Sequence, residues 1–398
     1  MQFKSMFSVI IHHIYFWSEN WLYLKSMKNI FSVVFIISFL NGSFSQGIVP
    51  FMDFNNFMSS FENGFFRQIE IQPISNLKTG DELAAYLDIR GNLRLYDGKE
   101  RRDITLLNAE YEVSDHLLAY TIAGSLKACE SGKNYNLTSF ASDFSVKDSL
   151  VVFLDGRTRS TNVFWNKQTI MLANIFDKLE MPKFIGDNLV IYKDASQTYN
   201  VFWKGKNYEI GIFNQEFPGF PGTDVNGNVT FSVGCDIFCF NDPFTQTFVV
   251  FEDGEMKDVE SLPVQKFMSA RGFVVYEDIN GNLWHYSKGV KTALSNFGAS
   301  KWMAKDDIVM WMENSYMFVY ANETKVEVAN YSPKDFQIKN NVLAFRNVLG
   351  GVDAFIDGRV VNMTNQVDAE YAIFGNKVLT LLLNKSAIVY DKGKKYTN

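Results

Sequence analysis

Apolar and aromatic residues return along this chain in step with short polar turns. In the segment 186–210, GDNLVIYKDASQTYNVFWKGKNYEI, an acidic turn leads into an apolar run. A second turn leads into a strand ending on two aromatics, and a Lys-Gly turn into a last strand. With Asp187 as phase zero, the phase recurs at Asp81, Asp115, Asp148, Gly227, Arg271, Asp306, Asn340 and Asn376, at spacings of 33 to 44 residues. Position plus two is apolar in all nine units: Leu83, Leu117, Leu150, Leu189, Val229, Phe273, Ile308, Val342 and Val378. Position plus five is aromatic in seven, with Ser232 and Leu381 as the exceptions. A period in this range, holding several strands, marks a β-propeller or solenoid and not a single-core sandwich.

Each unit continues to an aromatic-rich third strand, as at 93–96, 162–165, 200–203, 283–286 and 387–390. Tight turns follow at Asp97-Gly98, Lys204-Gly205, Lys288-Gly289 and Lys392-Gly393, where glycine supplies the positive φ of a short hairpin. A short alternating stretch before each zero, such as 110–113, adds a fourth strand. Continuous apolar runs such as 150–153 suit strands covered on both faces by neighbouring blades. The prediction is an all-β fold: one β-propeller of four-stranded blades over 67–398. Nine phases imply eight or nine blades, the first or last unit being incomplete and completing another. No helical periodicity competes with this reading.

Two departures from the repeat sit together. Residues 214–226, NQEFPGFPGTDVN, carry a doubled Phe-Pro-Gly that breaks strand pairing and predicts a loop with exposed aromatics. The unit with zero at Gly227 is also the longest. Counting from zero to the aromatic closing the third strand, it predicts an elongated hairpin with its tip at Asn241-Asp242-Pro243. The segment 46–66, rich in Phe and Met, is expected to pack across the ring before a first strand near 67–72.

Residues 27–45 read as a secretory signal peptide: Met27-Lys28, an 11-residue apolar core from Ile30 to Leu40, and small Ser43 and Ser45 before Gln46. Eleven apolar residues are too few to span a bilayer, and no later run approaches that length. Residues 1–26 read as a start assigned too early or as an extra segment. No cysteine follows the apolar core, which argues against a lipid anchor. The expected location is periplasmic or secreted. Without residues 1–45 the net charge moves from −6 to −8, which lacks the basic footprint of a nucleic-acid binder. Three cysteines, Cys129, Cys235 and Cys239, are read as free and buried. Residues four apart on one strand lie about 13 Å apart, beyond the roughly 7 Å disulfide limit.

Little chemistry stands out. Asp-x-x-Gly-Asn occurs at 88–92, 224–228 and 278–282, but the sixth-position glycine and twelfth-position glutamate of a calcium loop are missing, so turn chemistry is the reading and no metal is assigned. After residue 45 the histidines are His116 and His285, which argues against a multi-histidine zinc site, and no Gly-x-Ser-x-Gly elbow occurs. Carboxylates at the channel mouth, from Glu70, Glu110, Glu112, Asp143, Asp335, Asp368 and Glu370, are numerous enough to arise by chance, and no catalytic residue is assigned.

By its phased repeats, the chain after residue 45 resembles β-propeller proteins exported by bacteria, the broad kind that includes the TolB-like propellers. It lacks the Trp-Asp dipeptide of WD40 repeats, the Asp-box of sialidases and the Tyr-Trp-Thr-Asp repeat, so no subfamily follows. The resemblance implies a rigid disc with a central channel and loop-bearing faces that hold partners. The expected function is a non-catalytic exported scaffold of the bacterial envelope without a cofactor. It would contact a protein partner through Phe217, Pro218, Phe220 and Pro221 of the loop and Asn241, Asp242, Pro243 and Phe244 of the hairpin, because interruptions on a rigid repeat carry function. An accessory or plug-like subunit of an outer-membrane secretion complex is its specific version. A glycan-binding or glycan-cleaving propeller is the alternative.

Overall fold

The computed structural model describes residues 47–106, 109–176, 178–296 and 298–398. The signal-peptide reading and residues 1–26 lie outside the described residues. Ten antiparallel sheets follow one another along the chain, one of three strands and nine of four. Among the described residues there is no helix, and none therefore that is long and apolar enough to cross a membrane.

Each four-stranded sheet is a meander in sequence order, and each packs face to face on the next. One cluster joins Leu189 and Val201 of one blade to Phe238 and Phe251 of the following blade. Another joins Ile308 and Met317 to Leu343 and Phe355. Coverage on both faces explains why second strands such as Leu150–Asp155 are buried for five consecutive residues. The aromatic at plus five is the large filler of these interfaces: Tyr86, Tyr120, Phe153, Tyr276, Trp311 and Phe345 are at most 2 % exposed.

The ring has ten blades, not the eight or nine expected. The segment assigned to packing across the ring is itself blade 1, with strands Val49–Met52, Met58–Glu62 and Phe65–Gln68. Its hairpins match the outer three strands of the other blades, so it lacks only the innermost strand. Without that strand the alternating stretch preceding a zero is missing, and Gly47 is no acidic turn residue. Gly47 nonetheless occupies phase zero: Ile48 N donates to Asp81 O at 2.9 Å, as Glu82 N donates to Asp115 O one blade on. Blade 1 seats Phe51 and Phe61 against Phe374 and Val389 of the last blade, and Met58 against Tyr86 and Tyr96 of blade 2. The circle closes through that wedge.

The elongated hairpin is also corrected. The zero of blade 6 is Cys235, not Gly227: Cys235 N donates to Ala270 O at 3.1 Å, and Cys235 bridges Arg271 in parallel. The second strand is then Ile237–Asp242, and position plus five becomes Phe240, removing the Ser232 exception. The second and third strands are joined by an ordinary short turn, and the extra residues lie before the inner strand Ser232–Val233. The misreading arose because Asp224 to Asn228 forms the same carboxylate-capped turn that joins strands two and three elsewhere.

The meander puts inner-to-second turns on one face. Second-to-third turns and interblade connections lie on the other. On the first face the phase-zero residues bond directly to one another. Asp115 Oδ1 accepts from Asp81 N at 2.8 Å, Asp148 Oδ1 from Asp115 N at 3.3 Å, and Asp306 Oδ2 from Asn340 N at 2.9 Å. Asp81 Oδ1 accepts from Gly375 N at 2.7 Å. Lys339 reaches past blades 10 and 1 to pair with Asp81 and with Asp115 at 3.0 Å, and Arg271 donates to Asn340 Oδ1 at 3.0 Å. Asp81, Asp115, Asp148 and Asp306 each accept an amide from another blade's inner turn, which favours acidic residues at phase zero.

Candidate functional site

On the opposite face the two sequence interruptions converge. Residues 212–231 connect the outermost strand of blade 5 to the inner strand of blade 6, and 243–246 form the next second-to-third turn. The connection is folded on itself: Phe217 N donates to Gly227 O at 2.8 Å, and Thr223 bridges Val229. Gly227 has φ of 82°, and a Cβ there would lie 2.8 Å from Phe217 N, so only glycine serves. The Phe217 ring meets Phe244 edge-on at 5.4 Å, and Phe244 stacks on Phe213 at 5.9 Å.

The eight residues singled out in sequence divide by role. Phe244 is 57 % exposed, Pro218 and Pro221 are exposed, and Phe217, Phe220 and Asp242 are half-buried. Asn241 and Pro243 are buried and cannot meet a partner at the surface. Asn241 instead pins the patch. Its Nδ2 donates to Pro221 O at 3.0 Å and Val264 O at 2.9 Å, and its Oδ1 accepts from Val264 N at 3.0 Å. Asp242 caps its own turn, accepting from Phe244 N at 2.8 Å.

Beside this patch lies a cleft of about 610 Å3, within the range of ligand pockets, which shares Asp224 and residues 228–230 with the loop. Tyr192 and Tyr199 supply ring surface; Asn174, Gln197 and Asn228 supply amides. Lys193 sits over the Tyr199 ring at 4.6 Å; burial, then the charge of Lys183, push its ammonium below the usual lysine value. No sequence signal pointed here, because the lining comes from three separate connections.

Most of the remaining candidates have partners within the fold. Glu70 is buried and accepts from Tyr86 Oη at 2.7 Å and Arg94 Nη1 at 2.7 Å. Glu112 accepts from Val146 N at 2.8 Å, and Glu370 pairs with Lys385 at 2.7 Å. Asp335 takes Tyr371 and Arg346. Asp88, Asp224 and Asp278 spend their carboxylates on amides of their own turns, for instance Asn92 N at 2.9 Å and Asn282 N at 2.9 Å. His116 pairs with Glu82 at 2.8 Å. His285 lies between the Phe273 and Tyr320 rings, where burial pushes its imidazole down to about 4. Cys129 and Cys239 are buried and Cys235 half-buried, all with free thiols.

Ten radial sheets around one axis, with loops gathered on one face, define a ten-bladed β-propeller. The chain belongs to the 10-bladed beta propeller domain family, whose profile matches residues 43–396. That match covers the exported-propeller expectation only as far as the propeller. No curated protein matches the sequence. Among solved structures, the computationally designed Ika8 protein is similar at 13 % identity and TM-score 0.32, covering 75 % of this chain and 96 % of that one. The CRINKLY WD40 ectodomain of the Arabidopsis thaliana receptor kinase ACR4 is similar at 9 % identity and TM-score 0.29, covering 69 % and 90 %. Human WBSCR16 is similar at 7 % identity and TM-score 0.29, covering 63 % and 90 %.

Proposed function

We propose that this chain is a non-catalytic binding protein that holds a protein partner on its loop-bearing face, centred on Phe217, Pro218, Phe220, Pro221 and Phe244. The supporting observation is the convergence of the non-repeating connection and the 243–246 turn into one apolar patch, pinned from beneath by Asn241. An exposed Phe244 ring flanked by half-buried Phe217 and Phe220 on a rigid support has the composition of an interface anchor. The signal-peptide pattern at 27–45 supports an exported scaffold of the bacterial envelope, and an accessory or plug-like subunit of an outer-membrane secretion complex is the specific form of that reading. The test is a photo-crosslinking residue placed at Phe244 and, separately, at Lys204 on the opposite face, in the source organism. A discrete crosslinked protein from position 244 alone is expected. Equal capture from both positions, or none from 244, overturns the assignment.

A second reading follows from the neighbouring cleft. Tyrosine rings beside amides and carboxylates also suit a glycan, which stacks on rings and hydrogen-bonds through its hydroxyls. This moves the expected glycan site from the channel carboxylates to residues 192–199 and 224–230. A glycan array on which Tyr199→Ala removes the hits supports it. Identical hits from the variant, or no hits at all, retire it.

A further inference from the structure

We propose that the cavity between blades 7, 8 and 9 binds a small amphiphilic anion, a single alkyl or aryl tail carrying one carboxylate. The cavity measures about 500 Å3 and opens on the loop-bearing face, where residues 298–300 and 330–335 of the interblade connections run. Its floor is methionine. Met310, Met312 and Met317 line it from the second and third strands of blade 8, and Met268 and Met303 from the inner strands of blades 7 and 8.

Five of the chain's 14 methionines therefore lie against one cavity. Positions matching Met310 vary from blade to blade: Ala85, Ala119 and Ala344 are shorter, whereas blade 1 carries Phe51 and blade 5 Ile191. An unbranched thioether has three rotatable bonds and adapts to a guest, as branched residues cannot. Trp302 and Phe336 complete an apolar wall.

The rim carries the opposite chemistry. Lys266, Lys301 and Lys334 surround it, in a chain of net charge −6. Lys266 is partly offset by Glu277 at 3.8 Å. Lys301 and Lys334 are exposed, and among the described residues no carboxylate lies within ion-pair distance of either. An apolar thioether floor under two uncommitted ammonium groups is complementary to a tail with an anionic head. It is poorly matched to a neutral tail, which leaves the lysines unused, or to a polar anion, which leaves the floor unused.

The test is displacement of 11-(dansylamino)undecanoate from the full chain by decanoate and by decanol. Saturable one-to-one binding is expected, with decanoate displacing the dye at least tenfold better than decanol. The double variant Lys301→Glu/Lys334→Glu, exposed and so compatible with folding, is expected to weaken the dye at least tenfold while its melting temperature stays unchanged. Met303→Trp, which fills the floor, is expected to lower the number of bound dyes. Absence of dye binding, equal displacement by decanol, or undiminished binding by the charge-reversed variant overturns the proposal.

Discussion

The two faces of this ring are made by the same blades and built in opposite ways. On one, phase-zero residues bond in succession and Lys339 ties blade 9 to blades 2 and 3. On the other, connections differ in length, aromatics are exposed, and the two cavities described above open. Turns interlock on the first face because blades present their backbone at matching heights, as in Ile48 N to Asp81 O and Arg271 N to Asp306 O. Recognition needs the reverse, surfaces that differ from blade to blade. Substitutions should therefore cost stability on the first face and binding on the second.

The strongest way to break the contrast is Gly234→Ala. A Cβ there would lie 2.0 Å from Ala270 O of the next blade, so the turns must part. We expect a loss of about 3 kcal/mol, the upper end for overpacking, read as a lowered denaturation midpoint. Lys339→Met comes next. It strips the cation from Asp81 and Asp115, and about 2 kcal/mol is expected, between exposed and buried ion-pair values. In Asp81 burial raises the carboxyl, but Lys339 and the bonds from Asn340 and Gly375 outweigh it and hold the group below 3.8. That contribution is present above the unfolded value and is lost as pH falls through the lowered one.

Asp148 carries the opposite sign. Burial, then the charges of Asp115 and Asp187, lift its carboxyl to about 6 from 3.8. Its proton favours the folded state below 3.8, and that advantage disappears as pH rises through 6. Asp148→Asn, which keeps the oxygen that accepts from Asp115 N, should raise the melting temperature at pH 7.5 and leave it unchanged near pH 3.5. The smallest effect is expected from Phe244→Ser. Its ring is 57 % exposed, so stability should change by less than about 1 kcal/mol in chemical denaturation, while capture from position 217 or 218 is lost. A large stability loss from that variant would erase the division of labour.

The repeat was legible in sequence wherever a side chain served the interface between blades. Leu83, Leu150 and Ile308 at plus two, and Tyr86, Phe153 and Trp311 at plus five, are buried where the phase places them. It failed where a local turn imitates a repeat. Asp224 satisfies the same amides as Asp88 and Asp278, so the phase slipped to Gly227, and the one polar plus-five residue, Ser232, was the sign that Cys235 is the true zero. Blade 1 was missed because its inner strand and acidic zero are both absent, leaving Gly47 as a turn revealed by the bond from Ile48 N to Asp81 O. Within the site, Phe217 and Phe244 were legible as interruptions. Asn241 as an internal pin, and the methionine floor, depend on neighbours in other blades and leave no local mark.

Blade 1 also sets how the molecule yields. Its sheet is formed by one continuous run of chain, so no ladder is shared between the first and last strands; the seam to blade 10 rests on Phe61 against Tyr396 and on Lys377 reaching Gly47 O at 2.7 Å. Parting the circle at that seam would break side-chain contacts and leave every sheet's ladder whole.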